Sequence, residues 1–375
     1  MAALLLLGGQ YTEMSVTSDP VRLVGLDEIR AAASRLGGVA LRTPLLPFGP
    51  PDPADSLLRP RIWLKPESLQ PIGAFKIRGA YNAIASLTPE QRAMGVISHS
   101  SGNHAQGVAR AARVFGVRAV IVMPEATPAV KVARVRADGA EIVFVGPSSD
   151  ERAERAQEIS ERDGLTLVPP YDHPAVIAGQ GTIGLEIVEQ IDELDQAPAG
   201  DEPHPQGPTR PDLTVLVPVS GGGLSSGIAT AVKESRPDAR VYGVEPELAA
   251  DALESLREGR IVRWEPELTG RTSADGMRAT QLGRLTFPHL RRYLDGIVTV
   301  SETEIFRAMA RAAADARLVL EPSGATALAA GLFRTGELPE TGRIVCVLSG
   351  GNVDPERYRE LLALGAAAEA DALAR

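Results

Sequence analysis

From residue 95 onward the chain alternates short apolar runs with stretches of helical spacing, and few folds accept that rhythm. Gly95-Val96-Ile97-Ser98, Ala119-Val120-Ile121-Val122-Met123 and Glu141-Ile142-Val143-Phe144-Val145 read as strands, with helices expected over 103–115, 129–137 and 149–163. Strands joined through helices make right-handed crossovers, and so a parallel sheet covered on both faces. The pattern continues with a helix through 184–189, a buried strand over 213–219 and further strands over 241–244 and 344–348. Ahead of residue 95, helical spacing over 26–36 stops at Gly37-Gly38, a Pro-rich connection spans 44–60, residues 61–65 read as a strand and 74–87 as a helix. The fold class is α/β, doubly wound and mostly parallel. Residues 196–211, rich in Pro, Gly and charge, are expected to form a mobile surface loop.

Composition removes several functions. At 375 residues and 44% hydrophobic content, the chain can build one large or two moderate domains around substantial cores. A formal net charge of -9 with no basic run argues against nucleic acid as a partner. The single cysteine, Cys346, sits in the apolar run 344–348, can form no internal disulfide and fits a reducing cytoplasm. Residues 1–24 read as a disordered tail: Met1-Ala2-Ala3-Leu4-Leu5-Leu6-Leu7-Gly8-Gly9 lacks a positive leading region and is too short to span a bilayer, and Met14 opens a more ordinary start. Five histidines without metal-ligand spacing give no support for a zinc enzyme, and no Gly-x-Ser-x-Gly elbow supports a serine hydrolase.

In an open parallel sheet, ligands bind at loops that follow the carboxyl ends of strands. Three such loops carry suitable chemistry. Ser98-His99-Ser100-Ser101-Gly102-Asn103-His104 exposes backbone N–H groups to an anion such as a carboxylate, although the same residues make ordinary turns. Ser220-Gly221-Gly222-Gly223-Leu224 clears every side chain from a helix start, which suits a phosphate ester better than a tight turn alone. Ser349-Gly350-Gly351-Asn352 follows the last strand, and its hydroxyl can meet a ring nitrogen or cap the next helix. To these belongs Lys76, flanked by Phe75 and Ile77 and one of only four lysines in a chain that otherwise uses arginine. Arginine cannot supply a nucleophilic amine, whereas a lysine snorkelling from an amphipathic helix is the plainer reading of this stretch alone.

In this order, Gly73-Ala74-Phe75-Lys76-Ile77-Arg78-Gly79-Ala80, the Ser101-Gly102-Asn103-His104 loop, the glycine loop and Ser349-Gly350-Gly351-Asn352 resemble the pyridoxal-phosphate enzymes of fold type II, the tryptophan-synthase-β type. Within them the chain is most similar to the serine/threonine dehydratase and serine racemase branch, with support from 176–184, Ala274-Asp275-Gly276 and Glu321-Pro322-Ser323-Gly324-Ala325. The resemblance implies two doubly wound open-sheet domains with the cofactor cleft between them, a large one from 25–90 and 171–375 and a small one from 91–170.

It also implies pyridoxal 5'-phosphate as cofactor. Lys76 would carry it covalently and act as base for the substrate's Cα proton, with Phe75 beside the ring and Asn103 on its phenolic oxygen. Ser220, Gly221, Gly222, Gly223 and Leu224 would hold the phosphate, Gly276 would line the site and Ser349 would meet the pyridine nitrogen; Ser220 stands where the family usually has a glycine. The amino-acid substrate would lay its carboxylate on Ser100, Ser101, Gly102 and Asn103. Ser101 matches the second base of serine racemase, and Glu245, the Ala249 carbonyl and Asp251 match its Mg²⁺ or Ca²⁺ site, though two carboxylates at a strand end also read as solvated. Glu321 would lie near the site or its metal, and Arg152 either near the substrate or on the surface.

The implied activity is conversion of L-threonine, L-serine or both to a 2-oxo acid and ammonia. Serine racemase, hydroxyaspartate dehydratase and β-replacement are alternatives on the same fold, and a catalytically silent pyridoxal-phosphate-binding regulator is the alternative from another class. A homodimer is implied too. Because the chain stops one helix after Ser349, without the regulatory domain of biosynthetic threonine dehydratases, a catabolic or racemase-like enzyme is expected.

Overall fold

The computed structural model describes residues 21–49, 61–146, 149–196 and 213–374. Most of the expected tail, residues 50–60 of the Pro-rich connection and nearly all of the expected 196–211 loop lie outside the described residues. The strands are β1 (Leu46–Phe48), β2 (Arg61–Pro66), β3 (Val96–His99), β4 (Ala119–Pro124), β5 (Glu141–Val145), β6 (Thr166–Leu167), β7 (Leu213–Pro218), β8 (Arg240–Pro246), β9 (Gly296–Val300) and β10 (Arg343–Leu348). They form a six-stranded sheet in the order β1-β2-β10-β7-β8-β9 and a four-stranded sheet in the order β5-β4-β3-β6. Among the described strands only β1 and β2 pair antiparallel.

Both sheets are covered on two faces, which is why their central strands read as unbroken apolar runs. Every residue of β7 and β10 is buried. Val215, Val217, Val345 and Val347 pack against Ile183, Ile187 and Ile228. Their neighbours Leu216, Ile344, Cys346 and Leu348 point the other way, into a layer with Met309, Leu328 and Ala329. In the smaller sheet Ile121 and Met123 pack with Val108 and Ala112, while Ile97, Val120 and Val122 pack with Ala156 and Ile159.

Several boundaries differ from expectation for identifiable reasons. The 44–60 stretch contains β1, whose Leu46 faces Leu64; it lies on the sheet edge, where Pro47 costs no ladder bond. β3 starts at Val96 because Gly95, at φ 106, closes the Pro89–Met94 helix. The helix carrying Lys76 runs Lys76–Ala85 and not from Ala74, since Ala74 bridges Gly350 and the Phe75 N–H donates to the Ser349 carbonyl. The helix read over 184–189 is the middle of Pro174–Gln196. Among the described residues no helix is long and apolar enough to cross a membrane.

One interior patch is charged. Lys65, Glu67 and Arg78 are essentially without solvent exposure, and Glu186 is partly buried. The Arg78 guanidinium donates to Glu67 Oε1 and Oε2 at 2.9 and 2.8 Å, to Glu186 Oε1 and Oε2 at 2.6 and 3.0 Å, to Thr182 Oγ1 and to the Leu41 carbonyl. Lys65 Nζ donates to Glu186 Oε2, Gln190 Oε1 and the Thr43 carbonyl at 2.6, 2.9 and 2.7 Å. Two cations and two carboxylates, each hydrogen-bonded, tie β2 and the Lys76–Ala85 helix to Pro174–Gln196.

Candidate active site

The strand order places three predicted loops side by side. β2, β10 and β7 are consecutive neighbours, and Lys76, Ser349 and the glycine loop follow their carboxyl ends. The Phe75 N–H donates to the Ser349 carbonyl at 3.0 Å and the Gly351 N–H to the Gly73 carbonyl at 2.9 Å, so the lysine loop and the last loop are stitched together. The fourth loop arrives from the other sheet: a Cβ on Gly107 would sit 3.0 Å from the Lys76 carbonyl, so the Asn103–Phe115 helix lies directly against the lysine.

Lys76 is half-buried, with protein atoms crowding its amine. Nζ donates to the Pro170 carbonyl at 2.7 Å and lies 5.2 Å from the Phe75 ring centroid. Burial brings its pKa down from 10.5 to about 8. Pro170 lies in a segment held by its neighbours, since Ser98 Oγ and His104 Nε2 both reach the Val168 carbonyl, at 2.8 and 3.0 Å. His104 is pushed down to about 3 by burial and then by the nearby Lys76 charge, so its imidazole is neutral at physiological pH and donates through Nε2.

The glycines are sterically required. A Cβ on Gly221 would lie 2.5 Å from the Tyr171 ring, one on Gly223 would lie 2.9 Å from Tyr171 Cα, and Gly222 has φ +91. The helix that follows, Gly223–Ser235, has no side-chain cap, so its first N–H groups present a positive end to an anion. Ser220 Oγ accepts weakly from the Ala279 N–H at 3.4 Å.

Asn103 Nδ2 donates to Glu321 Oε1 at 2.6 Å, while its Oδ1 accepts from Asn352 Nδ2 at 2.9 Å, which leaves one amide hydrogen for a ligand oxygen. Glu321 is raised to about 8 by burial and then by Asp275, so it is mostly protonated at neutral pH. Ser349 Oγ donates to the Ser323 carbonyl at 3.3 Å, and the Gly276 N–H donates to Ser323 Oγ at 3.0 Å. Gly276 is thus linked to Ser349 through Ser323. Ser100 Oγ accepts from the Gly102 N–H at 3.3 Å, and the half-buried Ser101 lies between them. Arg152 lies close enough for its charge to depress His99, after burial.

Glu245 and Asp251 are buried, Glu245 accepting from the Ala252 and Leu253 N–H groups at 3.0 and 2.8 Å. Both are held above the usual carboxylate range, Asp251 by burial and Glu245 by burial and the Asp251 charge. Both oxygens of Asp251 are buried without a hydrogen-bond partner. This donor set, with the Ala249 carbonyl, fits a hard cation completed by waters. Among the described residues no group of three His, Cys, Asp or Glu side chains is arranged to hold a metal ion.

The amine, the amide, the neutral hydroxyl and the glycine-lined helix start fit the aldehyde, phenolic oxygen, ring nitrogen and phosphate of pyridoxal 5'-phosphate. Sequence reasoning missed Pro170, Tyr171, Asp172 and Thr286. Pro170 acts through its carbonyl, which leaves no side-chain signature.

Known proteins match most of the chain. The family described as pyridoxal-phosphate dependent enzyme matches residues 39–350. The chain is 38% identical over 345 residues to the serine racemase of Schizosaccharomyces pombe, covering 92% of this chain and 99% of that protein. It is 40% identical over 302 residues to the L-threo-3-hydroxyaspartate ammonia-lyase of Saccharomyces cerevisiae, covering 80% and 86%. The solved T.th. threonine deaminase superposes with a TM-score of 0.77 at 44% identity, covering 88% of this chain and 99% of that one. Matched by that family over residues 39–350 and by these relatives over most of their own length, the chain belongs to the pyridoxal-phosphate-dependent enzymes of fold type II.

Proposed function

We propose that this enzyme is an ammonia-lyase that converts L-threonine, L-serine or both to a 2-oxo acid and ammonia. The reading rests on one observation above others: the loop of the lysine whose pKa burial lowers to about 8 is stitched, through the Phe75 N–H, to Ser349, which offers a hydroxyl and not a carboxylate. Lys76 would hold the cofactor's aldehyde carbon, the N–H groups of Gly221, Gly222, Gly223 and Leu224 its phosphate, and Asn103 its phenolic oxygen. When bound, pyridoxal phosphate supplies an electron-withdrawing ring that acidifies the Cα–H of an attached amino acid. Ser349 offers no formal charge to the ring nitrogen, which favours loss of a β-substituent over transamination. The N–H groups of 100–103 hold the substrate carboxylate, and the Lys76 amine takes the Cα proton. Loss of that proton and of the β-hydroxyl amounts to loss of water. The released enamine tautomerises to an imine, which one water splits into the 2-oxo acid and ammonia.

A panel of β-hydroxy amino acids, threo-3-hydroxyaspartate included, tests this by 2-oxo acid and enantiomer formation with and without Mg²⁺. Failure of every member to give either product overturns the reading. A serine racemase among the relatives keeps racemisation as a second reading, carried by Ser101. Ser101→Ala is expected to reduce enantiomer formation at least about 100-fold while 2-oxo acid formation changes far less, because racemisation alone needs a second base. Equal loss of both products would remove that role.

Glu245, the Ala249 carbonyl and Asp251 would hold Mg²⁺ or Ca²⁺. Added Mg²⁺ should raise the melting temperature of the wild-type apoprotein and leave that of Asp251→Asn unmoved. An identical shift in both would exclude this site. The same reading takes 25–90 with 171–375 as a cofactor-binding domain, 91–170 as a smaller one, and the active species as a cytoplasmic homodimer, which sedimentation and cell fractionation would check.

A further inference from the structure

We propose that Asp172 is a positioning residue for phosphate recognition, acting through Thr286 on the glycine loop; this rests on the reading of that loop as a phosphate cradle. The Asp172 carboxylate accepts from three successive backbone N–H groups, Arg284 at 3.0 Å on Oδ2, and Leu285 and Thr286 at 2.8 and 3.2 Å on Oδ1. The turn so fixed opens the Thr286–Tyr293 helix. Gly283 is pressed against the same carboxylate, where a Cβ would overlap Oδ1.

From this turn the fully buried Thr286 hydroxyl donates to the Gly221 carbonyl at 2.7 Å, and the Gly283 N–H reaches the same oxygen at 3.3 Å. A trans peptide points its C=O and the following N–H in opposite directions. Holding the Gly221 carbonyl on the Thr286 side therefore aims the Gly222 N–H away from it. Thr286 also bounds Gly222 directly, since a Cβ there would lie 2.8 Å from Thr286 Oγ1.

Helix capping alone would stop at the Thr286–Tyr293 helix. Three contacts carry the effect further. Thr286 grips Gly221, and the residues before Asp172 touch the rest of the site: the Tyr171 ring meets Gly221 and the Pro170 carbonyl accepts from Lys76. One tripeptide, 170–172, holds both the amine's acceptor and the clamp on the phosphate loop.

The test uses the full chain stripped of cofactor, with pyridoxal 5'-phosphate, pyridoxal and inorganic phosphate as probes. Asp172→Ala and Thr286→Val are expected to weaken pyridoxal 5'-phosphate binding at least about tenfold, the scale of a misaimed charge-assisted hydrogen bond, with pyridoxal affinity changed less than about twofold. Inorganic phosphate should raise the melting temperature of the wild-type protein and not of these variants, and Thr286→Ser should restore the wild-type ratio of the two affinities. A purely structural role would lower both affinities alike. If Asp172→Ala does not fold, Thr286→Val carries the test. A wild-type ratio in a folded Thr286→Val protein overturns the proposal. A wild-type protein that prefers neither probe and ignores phosphate overturns the cradle reading itself.

Discussion

Lys76→Ala is expected to lower turnover of the preferred β-hydroxy amino acid by about 10²- to 10⁴-fold, the contribution of a positioned general base, and to remove the visible absorbance of covalently held cofactor. No neighbouring group replaces the amine. Among the four lysines, Lys65 is locked in its ion network, Lys131 pairs with Asp275 at 2.8 Å and Lys233 with Asp295 at 3.2 Å. The pH dependence follows from the same burial. Only the neutral amine bonds to an aldehyde, so cofactor uptake by the apoprotein should rise with pH through about 8 and level off above it. Uptake still climbing toward 10.5, the value of an ordinary lysine, would show that the amine is not desolvated. Retained absorbance with retained turnover in Lys76→Ala would sink the assignment.

The largest expected loss of stability comes from the buried quartet. Among the described residues, Arg78→Met leaves Glu67 and Glu186 with Lys65 as their only buried cation and should cost about 3–5 kcal/mol, because removing one partner strands a charge away from water. Changing Glu67 to Leu in the same chain should cost less than the sum of the two single changes, since each single change exposes the other's partner. Chemical denaturation of the apoprotein measures this without the cofactor's own contribution. A loss below about 1 kcal/mol for Arg78→Met would mean that water reaches the network.

The sequence displayed what depends on local pattern. Parallel strands buried on both faces are written as apolar runs, so β4, β7 and β10 were legible. Loops that use backbone N–H groups need Gly, Ser and Asn, so the three ligand loops stood out. Relations across long separations left no such mark. Asn103 meets Glu321 over 218 residues, Lys65 meets Glu186 over 121, and Asp172 reaches Thr286 over 114. Each residue alone is an ordinary polar side chain. β6 has only two residues and β1 three, too short for period-two alternation to register.

The placement of Lys76, Ser349 and the glycine loop on three neighbouring strands has a bearing on how such enzymes diversify. Adjacent strands stand about 4.8 Å apart, so the outer two loops are spaced by a rigid ruler of hydrogen bonds that no single loop change can stretch. Residues 100–103, whose N–H groups are proposed to take the amino acid's carboxylate, hang instead from the other sheet, after β3. Substitutions at Ser100 and Ser101 can therefore alter the proposed grip on the amino acid without disturbing the three strand-end loops. A serine racemase, a hydroxyaspartate ammonia-lyase and a threonine deaminase stand among its relatives on this one scaffold.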